Sequence, residues 1–308
     1  MNKWMSKIPD KKKIILINIP GSHDSAAYCM NRVLSCFSQT QYFDIRQQLE
    51  IGVRKIDLRI SSIKINRETN EDIICCHGIC DCYVAEDLCD QRKLTYKSIL
   101  IDVKKFLEKN PSETVLVSTF LGRGNFQDIE RAYEIFNQEV GDISISFHPN
   151  LILGDCRGKI IISTFLDKEI QIDKKKNQIL RTRSKSLIEG TGIDEIHSRY
   201  KGKNVCDYEV CGYMKVHQMK DMLNIYNMTL EQAEIKESEN QKMFPIAYSI
   251  SCTGEHETFL PYPIAQANIV NSFILREEPF KKGYYYGWIN MDFVIFDITS
   301  KLAESNFK

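Results

Sequence analysis

Five side chains that could carry out acid–base chemistry lie at or near the ends of short apolar runs. His23 and Asp24 follow the first run, Asp57 and Arg59 lie within the second, and His77 ends the third. Two imidazoles and a guanidinium suit phosphoryl transfer, since one imidazole can act as the base, the other as the acid, and the guanidinium can neutralise charge on a phosphate. We therefore interpret these residues as a candidate site for that chemistry.

The second apolar run, 53–60, alternates in hydropathy as a strand does. Its apolar residues fall on one face, and its charged residues, Lys55, Asp57 and Arg59, fall on the other. Charges inside a buried strand are costly unless they are paired or functional. The run therefore predicts a strand that carries functional charges on one face.

Similar β-branched runs recur along the whole chain and alternate with helical patterns. Thr95 can cap a helix that stops at Asn110, and Asn125 can cap the helix that follows. Strands alternating with helices favour a parallel sheet, and seven or eight strands in a chain of this length favour a closed barrel, whose sites form at the carboxyl ends of the strands. The predicted strands are 13–19, 53–60, 73–76, 114–121, 159–166, 246–251 and 293–298. No linker interrupts residues 1–308, so we predict a single domain.

Composition limits the cellular setting and the partners. The chain has 308 residues with 41 Lys and Arg against 41 Asp and Glu, so it lacks the basic excess that nucleic-acid binding requires. No window reaches the roughly 20 apolar residues of a spanning helix, and residues 1–13 contain no apolar signal segment. Eleven cysteines, an odd number, then favour reduced thiols. We expect a cytoplasmic monomer.

In their order along the chain, these residues resemble the catalytic X domain of phosphatidylinositol-specific phospholipase C. The similarity is greatest to the single-domain, metal-independent forms of bacteria and to the eukaryotic proteins that consist of the X domain alone, and it covers almost the whole chain. The motifs that carry it are Trp4-Met5, the His23 turn, 54–60, His77-Gly78, 106–114, 157–160, Asp207-Tyr208 and 290–293.

The resemblance implies a fold and a catalytic mechanism. The fold is a single α/β domain, a distorted, partly open TIM-type barrel. His23 is the general base on the inositol 2-hydroxyl group, and His77, assisted by Asp24, is the general acid for the departing diacylglycerol. Arg59 stabilises charge on the phosphate, and Asp292 orients His23 through the other ring nitrogen.

The resemblance also bears on substrate contacts and metal use. Asp57 braces Arg59 or His77, and Asp207 matches a position that contacts the inositol ring. Calcium-dependent relatives have a carboxylate ligand in place of Arg59 and an asparagine in place of Asp24, so we expect neither a metal nor another cofactor. Some positions that grip the ring in bacterial members differ here, at 119–122 and 164–166. The substrate is therefore left open between phosphatidylinositol and a glycosylated inositol lipid.

Two segments could hold the protein peripherally on an anionic membrane. The stretch 168–185 has seven basic residues against two acids, although a solvated loop has the same composition. The aromatic run 284–288 suits a membrane interface, the rim of a site, or a structural role equally well.

Two alternative functions remain open. One is a catalytically idle protein that binds inositol lipid or acts as a scaffold. The other is a metal-dependent glycerophosphodiesterase, although that class needs Glu and Asp ligands where this chain has Asp57 and Arg59. The pair His23-Asp24, taken alone, would also fit an ordinary turn in which an aspartate caps the backbone beside a solvated histidine.

Overall fold

The computed structural model describes residues 1–31, 35–65, 70–84, 92–124, 126–165, 208–225, 227–239, 247–250 and 262–308. The strands are β1 Ile19–Ser22, β2 Lys55–Ile65, β3 Asn70–His77, β4 Cys80–Asp81, β5 Val115–Leu121, β6 Ser144–Ser146, β7 Ile160–Phe165, β8 Ala247–Ile250 and β9 Trp288–Met291. The α-helices are α1 Ser35–Ser38, α2 Ile45–Glu50, α3 Tyr96–Lys109, α4 Phe126–Val140, α5 Leu153–Cys156, α6 Tyr208–Ile225, α7 Leu230–Ser238, α8 Pro263–Glu277 and α9 Phe296–Glu304. Short 3₁₀ helices cover Trp4–Lys7, Ile14–Leu16 and Gly141–Ile143.

Parallel strands form the sheet that carries the fold. Their order from edge to edge is β6, β7, β5, β2, β1, β9 and β8, and every neighbouring pair in that order is parallel. Within the described residues β6 and β8 do not pair, so the sheet is open between them. Helices follow several of these strands, which gives the predicted α/β architecture.

The first predicted helix forms where its sequence pattern indicates. The side chain of Thr95 accepts a hydrogen bond from the backbone N–H of Ser98, which satisfies a donor that the helix itself leaves unpaired. The helix ends before Asn110. Its apolar face is buried through Ile99, Leu100, Val103, Phe106 and Leu107. The predicted cap of the next helix, Asn125, lies outside the described residues.

Two of the predicted strands are wrong. The run 13–19 forms the 3₁₀ helix Ile14–Leu16, and only Ile19 enters β1. The run 293–298 follows the last strand, and α9 begins within it at Phe296. Short apolar runs carry too little periodicity to separate a strand from a helical turn.

A Pro-Gly pair, a combination that usually marks a turn, lies inside the first strand. Pro20 pairs with Ile289, and Gly21 pairs with residues on both neighbouring strands. The carbonyl of Pro20 accepts a hydrogen bond from the backbone N–H of Arg54 at 2.9 Å. The turn begins after Ser22, which leaves His23 and Asp24 at the carboxyl end of the strand as predicted.

The third strand runs antiparallel to the second, contrary to the prediction that both belong to one parallel series. β2 continues to Ile65, well beyond the carboxyl edge of its parallel neighbours, and β3 returns along it with Cys75 opposite Ile60. His77 therefore reaches the carboxyl edge of the sheet because its strand turns back toward that edge.

The aromatic run 284–288 is structural. It lies at the start of β9, the end of the sheet opposite His23, and Tyr285, Tyr286 and Trp288 are buried. The hydroxyl group of Tyr285 donates to the carbonyl of Ile15 at 2.7 Å. The interpretation of this run as a membrane contact is therefore wrong. No helix in the described parts of the chain has the length and apolarity needed to cross a membrane.

Candidate active site

His23 is held between two carboxylates at the carboxyl end of β1. Its Nδ1 lies 2.9 Å from Oδ1 of Asp292, and its Nε2 lies 3.3 Å from Oδ2 of Asp24. The backbone fixes the ring, since the N–H of His23 donates to the carbonyl of Met291 and its carbonyl accepts from the amide of Gln41. A buried imidazole with these partners can hold a proton or pass it on.

The two carboxylates control the protonation of His23. Burial alone would lower the pKa of the imidazole, but the negative charges of Asp24 and Asp292, together with the hydrogen bond that the ring donates to Asp292, raise it to about 9. His23 therefore carries a proton at neutral pH in the free protein. To act as a base it must give up that proton.

This protonation couples stability to pH. The unfolded histidine has a pKa near 6.5, and the folded one near 9. The resulting stabilisation of the folded state is on the order of 3 kcal/mol. It is fully present below the lower pKa and is lost as pH rises through the higher one. The difference in free energy of unfolding between the wild-type protein and His23→Gln, measured in urea, should be larger at about pH 6 than at about pH 9.5. An equal difference at both pH values would contradict this account.

His77 lies opposite His23 across the site. Its Nδ1 donates to the carbonyl of Ser38 at 2.6 Å, and its Nε2 lies 3.1 Å from Oδ2 of Asp24. Because both ring nitrogens face oxygen acceptors, only the doubly protonated ring donates to both. The two imidazole centroids are 6.5 Å apart and the rings are nearly perpendicular, a spacing that leaves room for a small group between them.

Asp24 joins the two histidines to Arg59. Its Oδ1 accepts from Nε of Arg59 at 2.8 Å, while Oδ2 faces both imidazoles. Burial would raise the pKa of this carboxyl, but the positive charges of His23, His77 and Arg59 lower it. The backbone of Asp24 has a φ of 40°, a left-handed conformation that aspartate tolerates better than most residues. Asp24 is therefore a fixed anion at the centre of the site.

Arg59 presents its guanidinium group toward the opening of the site. Its Nη2 donates to Oδ2 of Asp57 at 3.3 Å, and the group lies 4.4 Å from the centroid of the Phe120 ring. Burial would lower the pKa of Arg59, but Asp57 and Asp24 raise it, so the group stays charged. About a third of the side chain, 32%, is exposed. An anion entering the site can reach it.

One group of potential metal ligands occurs among the described residues, and Arg59 lies against it. His23, Asp24 and Asp57 each offer an atom within 4.8 Å of the others. The guanidinium group of Arg59 is already bonded to both of these aspartates. It holds the positive charge that a cation would otherwise bring to the two carboxylates.

The structure brings six of the seven predicted site residues together, and the seventh lies outside the described residues. The six are His23, Asp24, Asp57, Arg59, His77 and Asp292. Asp207 and the basic stretch 168–185 lie outside the described residues. Ser38, Gln41 and Phe120 also contact the site and were not predicted. Only Phe120 had a signal, because it falls in the stretch 119–122 that departs from the bacterial pattern.

Comparison with known proteins identifies the matching family and relatives. The family model described as PI-PLC X 1 matches residues 11–155. A 1-phosphatidylinositol phosphodiesterase of Staphylococcus aureus (strain Newman) is 30% identical over 169 residues, 52% of this chain and 49% of the relative. PI-PLC X domain-containing protein 1 of Homo sapiens is 27% identical over 138 residues, 37% of this chain and 39% of the relative. The aligned parts thus span about half the length of these curated relatives or less.

Solved structures extend the likeness of the fold to almost the whole chain. A mutant of the phosphatidylinositol-specific phospholipase C from Staphylococcus aureus superposes with a TM-score of 0.67 at 21% identity, covering 99% of this chain and 97% of that one. The enzyme from Listeria monocytogenes gives a TM-score of 0.59 at 21% identity, covering 100% and 99%. These relatives are TIM-barrel proteins, so the predicted fold class is confirmed.

The fold and the site together define an open α/β barrel with two imidazoles and a guanidinium group at the carboxyl edge of its strands. Residues 11–155 match the PI-PLC X model, and the relatives are bacterial 1-phosphatidylinositol phosphodiesterases and PI-PLC X domain-containing proteins, so the resemblance predicted from the sequence is confirmed over that segment.

Proposed function

We propose that this chain is a phosphodiesterase that cleaves phosphatidylinositol, or a glycosylated inositol lipid, to diacylglycerol and a cyclic inositol phosphate. The observation that carries the proposal is the single carboxylate of Asp24, which contacts both imidazoles and the guanidinium group of Arg59. This geometry unites a base, an acid and a phosphate-binding cation in one buried cluster. The names of the relatives agree with it.

In the proposed reaction, each residue moves or holds a defined charge. His23, oriented by Asp292, takes the proton of the inositol 2-hydroxyl through Nε2, and the hydroxyl oxygen attacks the adjacent phosphorus. The bond from phosphorus to the diacylglycerol oxygen breaks, and His77 gives that oxygen a proton from its own Nε2. Arg59 turns from Asp24 toward the phosphate oxygens as charge develops on them.

In this proposal the reaction needs a cation beside the phosphate group but no metal ion. Arg59 supplies that cation from a position between the carboxylates of Asp24 and Asp57. Asp57 braces Arg59, and Asp207 is proposed to contact the inositol ring. Residues 1–308 are proposed to act as a single catalytic barrel and as a monomer. A cytoplasmic location stays a prediction.

The direct test of this function is the release of diacylglycerol from vesicles. Vesicles containing phosphatidylinositol should yield diacylglycerol, and matched vesicles of phosphatidylcholine alone should yield none. Equal release from both would point to a phospholipase without inositol specificity. Binding without release would favour the idle lipid-binding alternative.

We further propose that the protein docks on the membrane through the rim of the site. Ile79 is 82% exposed and lies two residues beyond His77. Arg123 fixes this turn by donating to the carbonyl of Ile79 at 2.9 Å. An apolar side chain held beside the general acid would enter the lipid surface as the substrate enters the site.

We expect Ile79→Ser to weaken binding to anionic vesicles by up to about 1.5–3 kcal/mol, the free energy of burying one such side chain. Vesicle sedimentation measures the effect. The matched control is Ile235→Ser, because Ile235 is 51% exposed on α7, which packs near Ile14–Leu16 at the opposite end of the barrel. Similar losses in both variants would contradict docking through this rim.

A further inference from the structure

A second layer of side chains lies directly beneath the site. Gly21 on β1 pairs with Lys55 on β2 and with Asn290 on β9, so these three residues form one row across three neighbouring strands. We call this row the support layer. Since side chains alternate along a strand, the residues two positions further on share its face. These residues are His23, Asp57 and Asp292.

The support layer can form because Gly21 has no side chain. Lys55 and Asn290 are separated by β1, yet Nζ of Lys55 donates to Oδ1 of Asn290 at 3.0 Å. A Cβ atom on Gly21 would lie 2.3 Å from that oxygen and 3.2 Å from Cβ of Lys55. Only glycine at this position lets the two side chains meet.

Lys55 is a buried cation beneath buried anions. It is 4% exposed. Burial lowers the pKa of its ammonium group to about 8. The negative charge of Asp57 opposes this shift, and the positive charge of Arg59 adds to it. Its other neighbour in the row is Leu116 on β5, which does not titrate. Lys55 is therefore mostly charged at neutral pH.

The site above needs that charge. Asp24, Asp57 and Asp292 are all buried, and Oδ1 of Asp57 has no hydrogen-bond partner in the described part of the chain. Buried carboxylates are costly unless positive charge compensates them. When His23 is neutral, Arg59 and Lys55 are the two cationic side chains left beside these carboxylates.

We propose that Lys55 is a positioning residue whose ammonium group, held by Asn290, balances the buried carboxylates and thereby allows His23 to release its proton. The inference rests on the proposed function insofar as His23 acts as a base. Without the charge of Lys55, protonation of His23 would be the remaining way to balance the carboxylates. Lys55 would thus act through the charge of the site without touching the substrate.

The test follows the titration of His23 by NMR, without substrate, in the wild-type protein and in Lys55→Met. Methionine keeps most of the length of the side chain and removes the charge. We expect the pKa of His23 to rise by about one unit. This is the size of shift that the loss of one nearby positive charge produces at the effective dielectric constant of a protein interior. The matched control is Lys97→Met, an exposed lysine on α3, which should leave the titration unchanged.

A second variant keeps the test decisive if Lys55→Met does not fold. Asn290→Asp places a carboxylate against the ammonium group and offsets its charge with almost no change in volume. We expect the pKa of His23 to rise here as well. An unchanged His23 titration in a folded variant would overturn the proposal and leave Lys55 a structural residue. Because the titration uses no lipid, it gives an answer even if the vesicle assay refutes the proposed function.

Discussion

Replacing either imidazole should lower turnover of phosphatidylinositol by about 10²–10⁴-fold, the usual contribution of one general acid or base. The variants are His23→Ala and His77→Ala. Each removes a group that contacts Asp24, and neither histidine carries the packing of the barrel core. The measurement is the initial rate of diacylglycerol release at saturating lipid.

The control for both variants is His217→Ala, because His217 is an exposed histidine on α6. This variant should keep the full rate. The catalytic variants should retain cooperative thermal unfolding and should still bind vesicles. A near-normal rate in His23→Ala or His77→Ala, with the fold intact, would show that the assigned role is wrong.

Replacing Arg59 by lysine should lower the rate by roughly 10²–10³-fold, similar to the loss of one preorganised donor to a developing anion. Lysine keeps the charge but loses the planar fork that can bond two phosphate oxygens at once. It would also lose the double contact with Asp24 and Asp57. The rate on vesicles and on a soluble inositol phosphodiester measures the effect.

Arg131→Lys is the matched control, because Arg131 is an exposed residue of α4 that pairs only weakly with Glu134. It should leave the rate unchanged on both substrates. If calcium restored the rate of Arg59→Lys to the wild-type level, the cation site would accept a metal, and the interpretation of Arg59 as its substitute would gain support. A normal rate in Arg59→Lys without calcium would contradict the role of the guanidinium group.

Local patterns predicted the parts of the structure that depend on neighbouring residues. The alternation in 53–60 placed Asp57 and Arg59 on one face, and the two residues are bonded there. Thr95 caps α3 as its position before an amphipathic run indicates. In both cases the energetics act within one element, so the sequence of that element contains the signal.

The parts that depend on distant contacts were not predictable in the same way. His77 contacts the carbonyl of Ser38, 39 positions away, and Gln41 bonds the carbonyl of His23. Any residue has a carbonyl group, so no side-chain pattern marks the first contact. The antiparallel return of β3 was missed for a related reason, since a short apolar run does not reveal the direction in which its strand runs.

The most direct test of the central claim is phosphorus NMR of the products formed from phosphatidylinositol vesicles in EDTA. We expect the wild-type protein to produce a cyclic inositol phosphodiester with the chelator present, because Arg59 supplies the positive charge and the 2-hydroxyl group is the nucleophile. His23→Ala should produce almost none in the same time. Activity that disappears in EDTA and returns with calcium, or an acyclic phosphate as the first product, would contradict the account.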